Sequence, residues 1–381
     1  MLKFNENGKF TIMVATDIHE KADVTSPLAK KKMRDGRLLM ETALDKIKPD
    51  LVVLLGDIFT NREKEEPYAD FRAAIRRVAQ PMIDRGIPYA IALGNHDHDG
   101  YHTDKQVEMY KELEGCLIDN ADPNITGNAN YNLLIYSSKG DKPVFNLWFI
   151  DSNNHYEDIS VSKYDIVHQD QIEWYEKTAL ALKEQNGGKV IPALVFQHIP
   201  VIQCYRLLRK AKLWERPWAV RGEGAFQKHY YVLKDGVEGY LGQGPCTPDI
   251  DSGQFDSWKK IGDVIGAYFG HDHMNDFNGQ VDGIYLGQCK TASFRVYTDG
   301  ARSGVREIIL NENDPTKYET KMYHFKEELG LEPISLGPIM KRLTDRQSVN
   351  LTIARNVLLG AGAAYAAGYG INKLAKYLKN K

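Results

Sequence analysis

Cysteine is scarce and scattered. Cys116, Cys204, Cys246 and Cys289 are the four in the chain, and no C-x-x-C pair exists, which excludes a zinc knuckle and a dithiol redox motif. Widely separated thiols suit a reducing compartment. The first residues, MLKFNENGKFTIMVATDIHE, lack the long apolar run of a signal peptide, so the expected location is cytoplasmic. Charge imbalance is missing as well: 49 Lys and Arg stand against 51 Asp and Glu, a net charge of −2. That balance, with no basic stretch interleaved with aromatics, makes nucleic acid an unexpected partner. No internal repeat of 20–50 residues is evident.

What is present is strand–helix alternation. Apolar, β-branched runs predict strands over Lys9–Thr16, Leu51–Leu55, Tyr89–Leu93, Val144–Ile150, Pro192–Gln197, Val264–Phe269, Gly283–Leu286 and Ser293–Tyr297. Helical spacing predicts helices over Asp35–Ile47, Tyr68–Ile83 and Asp170–Lys183. Alternation of this kind implies an α/β sheet covered on its faces. The chain divides into a domain over 1–320, with 200–262 as a less periodic excursion over its rim, a linker over 321–350 and a tail over 351–381.

The polar clusters fall at the carboxyl ends of those strands, where open α/β sheets place their ligand sites. In order they are Asp17-x-His19, Gly56-Asp57, Gly94-Asn95-His96-Asp97, His198 and Gly270-His271-Asp272-His273. Carboxylate, neutral imidazole and amide oxygen are the donors that divalent metals take. A pair of cations ~3.5–4 Å apart can share one ligand and activate water for attack on phosphorus. A lone D-x-H or G-D is an ordinary surface turn. Five such pieces in order, each at a strand end, are not.

This series, D-x-H, G-D, G-N-H-D, H, G-H-x-H, resembles the calcineurin-like metallophosphoesterase superfamily over roughly residues 10–300. Phe196–Pro200 (FQHIP) and Phe269–Phe277 (FGHDHMNDF) resemble its purple-acid-phosphatase-like branch. The resemblance implies an α/β fold: a four-layer α/β/β/α sandwich of two mixed sheets, with a dimetal site at the strand ends. It implies two divalent ions (Mn, Fe, Zn or similar, identity open). Asp17, His19 and His273 would hold one ion, Asn95, His198 and His271 the other, and Asp57 would bridge them. Metal-bound hydroxide would hydrolyse a phosphate mono- or diester carried by a small molecule or a protein. His96 would contact the phosphate and protonate the leaving oxygen, and Asp97 would orient His96. His96 as a further metal ligand or a structural hydrogen-bonder is the competing reading. Asp272, Asn275 and Asp276 are either supports of the site or caps of a polar turn. His98 is the one unmatched histidine close to the site.

Two departures narrow the reading. Where iron–tyrosinate phosphatases carry Tyr three residues after the bridging Asp, this chain has Thr60. Its Gly56–Arg62 run also lacks the G-D-x-x-D-R-G of protein Ser/Thr phosphatases; Arg62 reads as a solvated loop residue or a phosphate contact. Alternatives on the same fold are a metal-dependent nuclease and a non-catalytic binding scaffold. In the tail, Val357–Ile371 carries no charge and is followed by Lys373, Lys376, Lys379 and Lys381. Fifteen helical residues span ~22 Å, short of ~30 Å of hydrocarbon. Membrane contact through 351–381, a helix packed on the domain and a disordered tail are the three readings.

Overall fold

The computed structural model describes residues 1–21, 24–60, 68–99, 102–342 and 346–379. The N-terminal third runs β1 (Leu2–Lys3), β2 (Lys9–Ala15), α1 (Pro27–Ile47), β3 (Leu51–Leu55), α2 (Tyr68–Ile83), β4 (Tyr89–Ala92) and α3 (Thr103–Lys111). Next come β5 (Tyr131–Tyr136), β6 (Pro143–Phe149), α4 (Gln169–Gln185), β7 (Ala193–Phe196), β8 (Leu208–Lys210), β9 (Val220–Arg221) and β10 (Tyr230–Leu233). The remainder is α5 (Gln254–Ile261), β11 (Val264–Phe269), β12 (Asn278–Val281), β13 (Ile284–Gln288), β14 (Gly304–Asn311), β15 (Tyr318–His324), α6 (Pro338–Arg342) and α7 (Arg346–Lys379).

The strands form two large mixed sheets, ordered β15-β14-β2-β3-β4 and β1-β5-β6-β7-β11-β13-β12. Alternation along the central strands builds the layers. Leu147, Phe149, Leu194, Phe196 and Tyr268 face the core shared with the other sheet. Trp148, Ala193, Val195, Ala267 and Phe269 face the opposite way, onto Tyr175 of α4 and Trp258 of α5. Helix α1 packs on β2, β14 and α2 outside the smaller sheet. The result is a four-layer α/β/β/α sandwich. A period of two along each strand thus sorts side chains between two cores.

Helix α1 starts eight residues before the periodicity predicts. Ser26 caps it, accepting from Ala29 N at 3.1 Å, and Pro27 opens it; its lysine-rich first turns carry no apolar stripe. The run 293–297 is not a strand. The boundary expected at 320 falls inside the folded unit. Strand β15 pairs with β14, Phe325 and Leu329 join the core, and buried Asp35 of α1 accepts from Ile334 N and Ser335 N at 2.9 and 2.8 Å. Arg62 lies outside the described residues.

The excursion at 200–262 carries the small antiparallel sheet β8-β10-β9. The run after β11 clamps it down. Asn275 Oδ1 accepts from Gly242 N and Gln243 N at 2.9 and 3.0 Å, and Asp276 Oδ1 accepts from Tyr240 N at 2.6 Å. Asp276 Oδ2 also faces fully buried Lys290 at 3.1 Å and His324 Nε2 at 2.9 Å. These residues are therefore clamps on the overhanging segment. Helix α7 is exposed over 351–379, with Thr352 half-buried, and no described helix is long and apolar enough to cross a membrane.

Burial opposes ionisation of Asp276, but Lys290 and His324 outweigh it and hold the carboxyl well below its ordinary range. A depressed folded-state value means that the stability this group contributes is complete above about pH 4 and is lost as the solution becomes more acidic. Asp276→Ala leaves Lys290 with Asp299 alone and removes the acceptor of His324 and Tyr240 N, and the expected loss is about 1–3 kcal/mol in urea unfolding at neutral pH. The difference from the parent should shrink in strong acid.

Candidate metal centre

Parallel strands β2, β3 and β4 of one sheet and β7 and β11 of the other release their chains at a common rim. Asp17, Asp57, Asn95, His198 and His271 each follow one of these strands by one to three residues. The sheets are stitched there by a bridge between Thr16 and Thr291 and by the bond from His198 Nδ1 to Leu55 O at 2.8 Å. Three motif glycines make the approach possible. A Cβ on Gly94 would lie 2.3 Å from Asp57 N, one on Gly56 2.5 Å from His198 Nδ1, and one on Gly270 2.1 Å from Thr16 Oγ1. Asp17, His19, Asp57 and His271 all sit at positive φ, between 48° and 67°. Left-handed backbone in non-glycine residues is strained, and here it is concentrated on the donors.

Six of the seven expected ligands gather into two groups: Asp17, His19, Asp57 and His273, and Asp57, His198 and His271. Asp57 belongs to both. Its Oδ2 lies 3.5 Å from His19 Nε2 and 3.3 Å from His198 Nε2. Asp17 Oδ1 lies 3.1 Å from His273 Nε2 and 3.8 Å from His19 Nε2 and from His198 Nε2. Asn95, the seventh, precedes His96, whose N–H donates to Asp57 Oδ1 at 2.8 Å.

The far sides of Asp17, His19, Asp57, His198 and His273 are tied down. His198 and His273 donate Nδ1–H to the carbonyls of Leu55 and Tyr297 at 2.8 and 3.1 Å, which leaves Nε2 for the centre. His19 Nδ1 meets the Thr60 hydroxyl, at the position where a tyrosine would mark an iron–tyrosinate site. Asp17 Oδ2 accepts from Thr16 Oγ1 and His271 N at 2.9 and 3.0 Å. By contrast Asp17 Oδ1, Asp57 Oδ2, Asn95 Oδ1, His198 Nε2 and His271 Nε2 are buried without a hydrogen-bond partner. Buried polar atoms are nearly always bonded. A cluster of orphans, all of metal-donor type, fits a pair of cations and little else.

Asp97 does not orient His96. Its carboxylate turns inward and accepts from the backbone N–H groups of Ile58, Phe59 and Gly94 at 2.8–3.4 Å. Burial, with Asp57 nearby, pushes its pKa up to about 7. The partner of His96 is Asp99, whose Oδ2 lies 2.5 Å from Nδ1. Residues 95–98 form a 3₁₀ turn, which places residue 99 one turn after 96, whereas the adjacent Asp97 points elsewhere. An aspartate three residues after the histidine was the available signal. His98 bonds instead to buried Asp151 at 3.0 Å. Asp272 accepts from Cys246 N at 3.0 Å and so helps hold the overhang. The sequence also gave no sign of Tyr164 and Tyr297, whose rings contact His271 edge-on at 4.4 Å and His273 face-on at 4.1 Å.

A four-layer sandwich with one carboxylate shared between two donor groups at its rim is the architecture of dimetal proteins. Residues 10–275 match the family described as Calcineurin-like phosphoesterase, and the chain belongs to it. Two similar proteins from Arabidopsis thaliana are named Probable inactive purple acid phosphatase 29 and Probable inactive purple acid phosphatase 14. The first is 27% identical over 345 residues, 83% of this chain and 81% of its own length. The second is 28% identical over 322 residues, 78% and 73% respectively. A solved dimetal phosphatase from Danio rerio aligns with 82% of this chain and 99% of its own, at 13% identity and a TM-score of 0.46.

Burial disfavours the charged form of His198, yet Asp57 and Asp17 raise its pKa to about 10. The same pairing holds both carboxyls below their ordinary range against the push of burial. Metal-free protein therefore keeps a proton on His198 at neutral pH, and a cation must displace it. Mn²⁺ titrated calorimetrically at pH 7 is expected to release about one proton per chain, seen as heats that vary with buffer ionisation enthalpy. Affinity should rise as the pH approaches 10. Heats independent of buffer would contradict this assignment.

Proposed function

We propose that this chain is a metal-dependent phosphoric ester hydrolase acting on a mono- or diester of a small molecule or a protein. The observation that carries the proposal is the position of Asp57 Oδ2, buried, unbonded and common to both donor groups. Asp17, His19 and His273 would hold one divalent ion, Asn95, His198 and His271 the other, with Asp57 between them. When bound, such a pair supplies an acidified water as nucleophile and neutralises charge on the phosphate.

The residues of the chain supply orientation and the proton. Asp17 and Asp57 are each anchored through one oxygen, so the other keeps a fixed direction. His96 is the part-exposed member of the rim, 31% accessible, beside the ring of His19 at 5.3 Å. Asp99 on Nδ1 fixes the ring and leaves Nε2 to meet a phosphate oxygen and to protonate the departing alkoxide. Tyr164 and Tyr297 wall the two sides of the approach.

Metal content and turnover of a panel of mono- and diesters, measured on the same preparations, test this. Asp57→Asn is expected to abolish turnover and weaken metal uptake. His96→Ala is expected to retain metal and lose about 10²–10⁴ in kcat, and Asp99→Asn, which removes the acceptor on His96 Nδ1, to retain metal and lose part of that factor. Loss of metal in His96→Ala would make His96 a ligand instead. Full metal uptake with no turnover of any ester would favour a phosphate-binding scaffold, the state suggested by the names of the two plant relatives.

A further inference from the structure

On the other side of the His19 segment lies a cavity of 420 Å³ between α1 and α2. That volume is within the range of small-molecule sites. Met33 and Met40 of α1, Val78 and Pro81 of α2 and Ala292 give it apolar walls. Ile18 and Glu20 line it, whereas His19 between them turns Nε2 towards Asp57. The segment 18–20 is thus a partition, with the metal centre on one side and the cavity on the other. Glu20 N donates to Ile58 O at 2.8 Å and Thr60 N donates to Glu20 O at 3.0 Å, so the partition is bonded to the chain that follows Asp57.

Positive charge at the floor is in excess. Arg295 Nη2 lies 2.8 Å from Glu20 Oε1, with side chains only 6% and 8% accessible. Arg77 Nη2 reaches the same oxygen at 3.2 Å. One carboxylate serves two guanidinium groups. Lys32 and Arg76 line the cavity as well, and neither forms an ion pair among the described residues. Arg295 is buried and Arg77 part-exposed, and the single carboxylate between them leaves positive charge half compensated, which favours binding a further anion.

Gly36 points the same way. It lies in the interior of α1 and lines the cavity. A Cβ there would meet nothing closer than Ala292 O at 3.9 Å, and its φ is ordinary, so neither crowding nor backbone conformation calls for glycine. Glycine weakens a helix interior. What it does here is keep the cavity open.

We propose that this cavity is a binding site for an amphipathic anion, with an apolar chain between α1 and α2 and an anionic head on the Arg295–Arg77 floor. The inference is independent of turnover at the metal centre. Calorimetric titration of the full chain with decanoate at low salt tests it. Saturable one-site binding is expected, at least tenfold weaker in Gly36→Leu and in Arg76→Glu, and at least tenfold weaker for decanol than for decanoate. Leu is a better helix former than Gly, so Gly36→Leu should keep the thermal midpoint of the parent; if it does not fold, Arg76→Glu still decides. Absence of saturable binding, equal affinity in the variants, or equal affinity for decanol would each overturn the proposal.

Discussion

The structure turns on the meeting of two buried carboxylates, Asp17 and Asp57, with four imidazoles at one rim. Two like charges in a region poor in water repel strongly, and burial alone would neutralise both. Opposite charge from the histidines keeps them ionised. Each carboxylate is steadied through its second oxygen by backbone N–H groups, His271 for Asp17 and His96 for Asp57. The rim therefore holds its donor atoms in fixed directions before any ion arrives. Such preorganisation raises affinity because little rearrangement accompanies binding.

Backbone geometry explains why the motifs take the form they do. The glycine before Asp57, the glycine before Asn95 and the glycine before His271 stand where two chains touch with no room for a methyl group. Asp57 and His271 beside two of them, and Asp17, accept left-handed backbone so that sheet ends can turn their side chains to one point. A short, strained turn after β2, β3 and β11 is the common device.

Most of this rim was legible in the linear order of residues, because each donor ends an apolar run and strand ends converge in parallel sheets. The central strands were legible for the same reason. Strands β14 and β15 were not: GVREIILN and YETKMYH mix charge into their alternation, and the pairing of β14 with β2 joins residues some three hundred positions apart. The partner of His96 was misread as Asp97, since adjacency along the chain says nothing about direction in a 3₁₀ turn. The overhanging segment was recognisable by its irregular composition, but the clamps beneath it, Asn275 and Asp276, look from sequence like ordinary turn residues. The cavity beside α1 had no signature at all. It depends on the spacing of two helices on one sheet, and on a glycine whose meaning appears only when its neighbours are known.

The donors are drawn from residue 17 through residue 273, and each ion's set takes members from both sheets. A full set for either candidate ion exists only once the chain has reached residue 271. The centre comes into being only when the last of the parallel strands has docked, so cation capture follows folding and cannot nucleate it. A bound pair would then act as a clasp across the finished sandwich, slowing its opening far more than it hastens its formation.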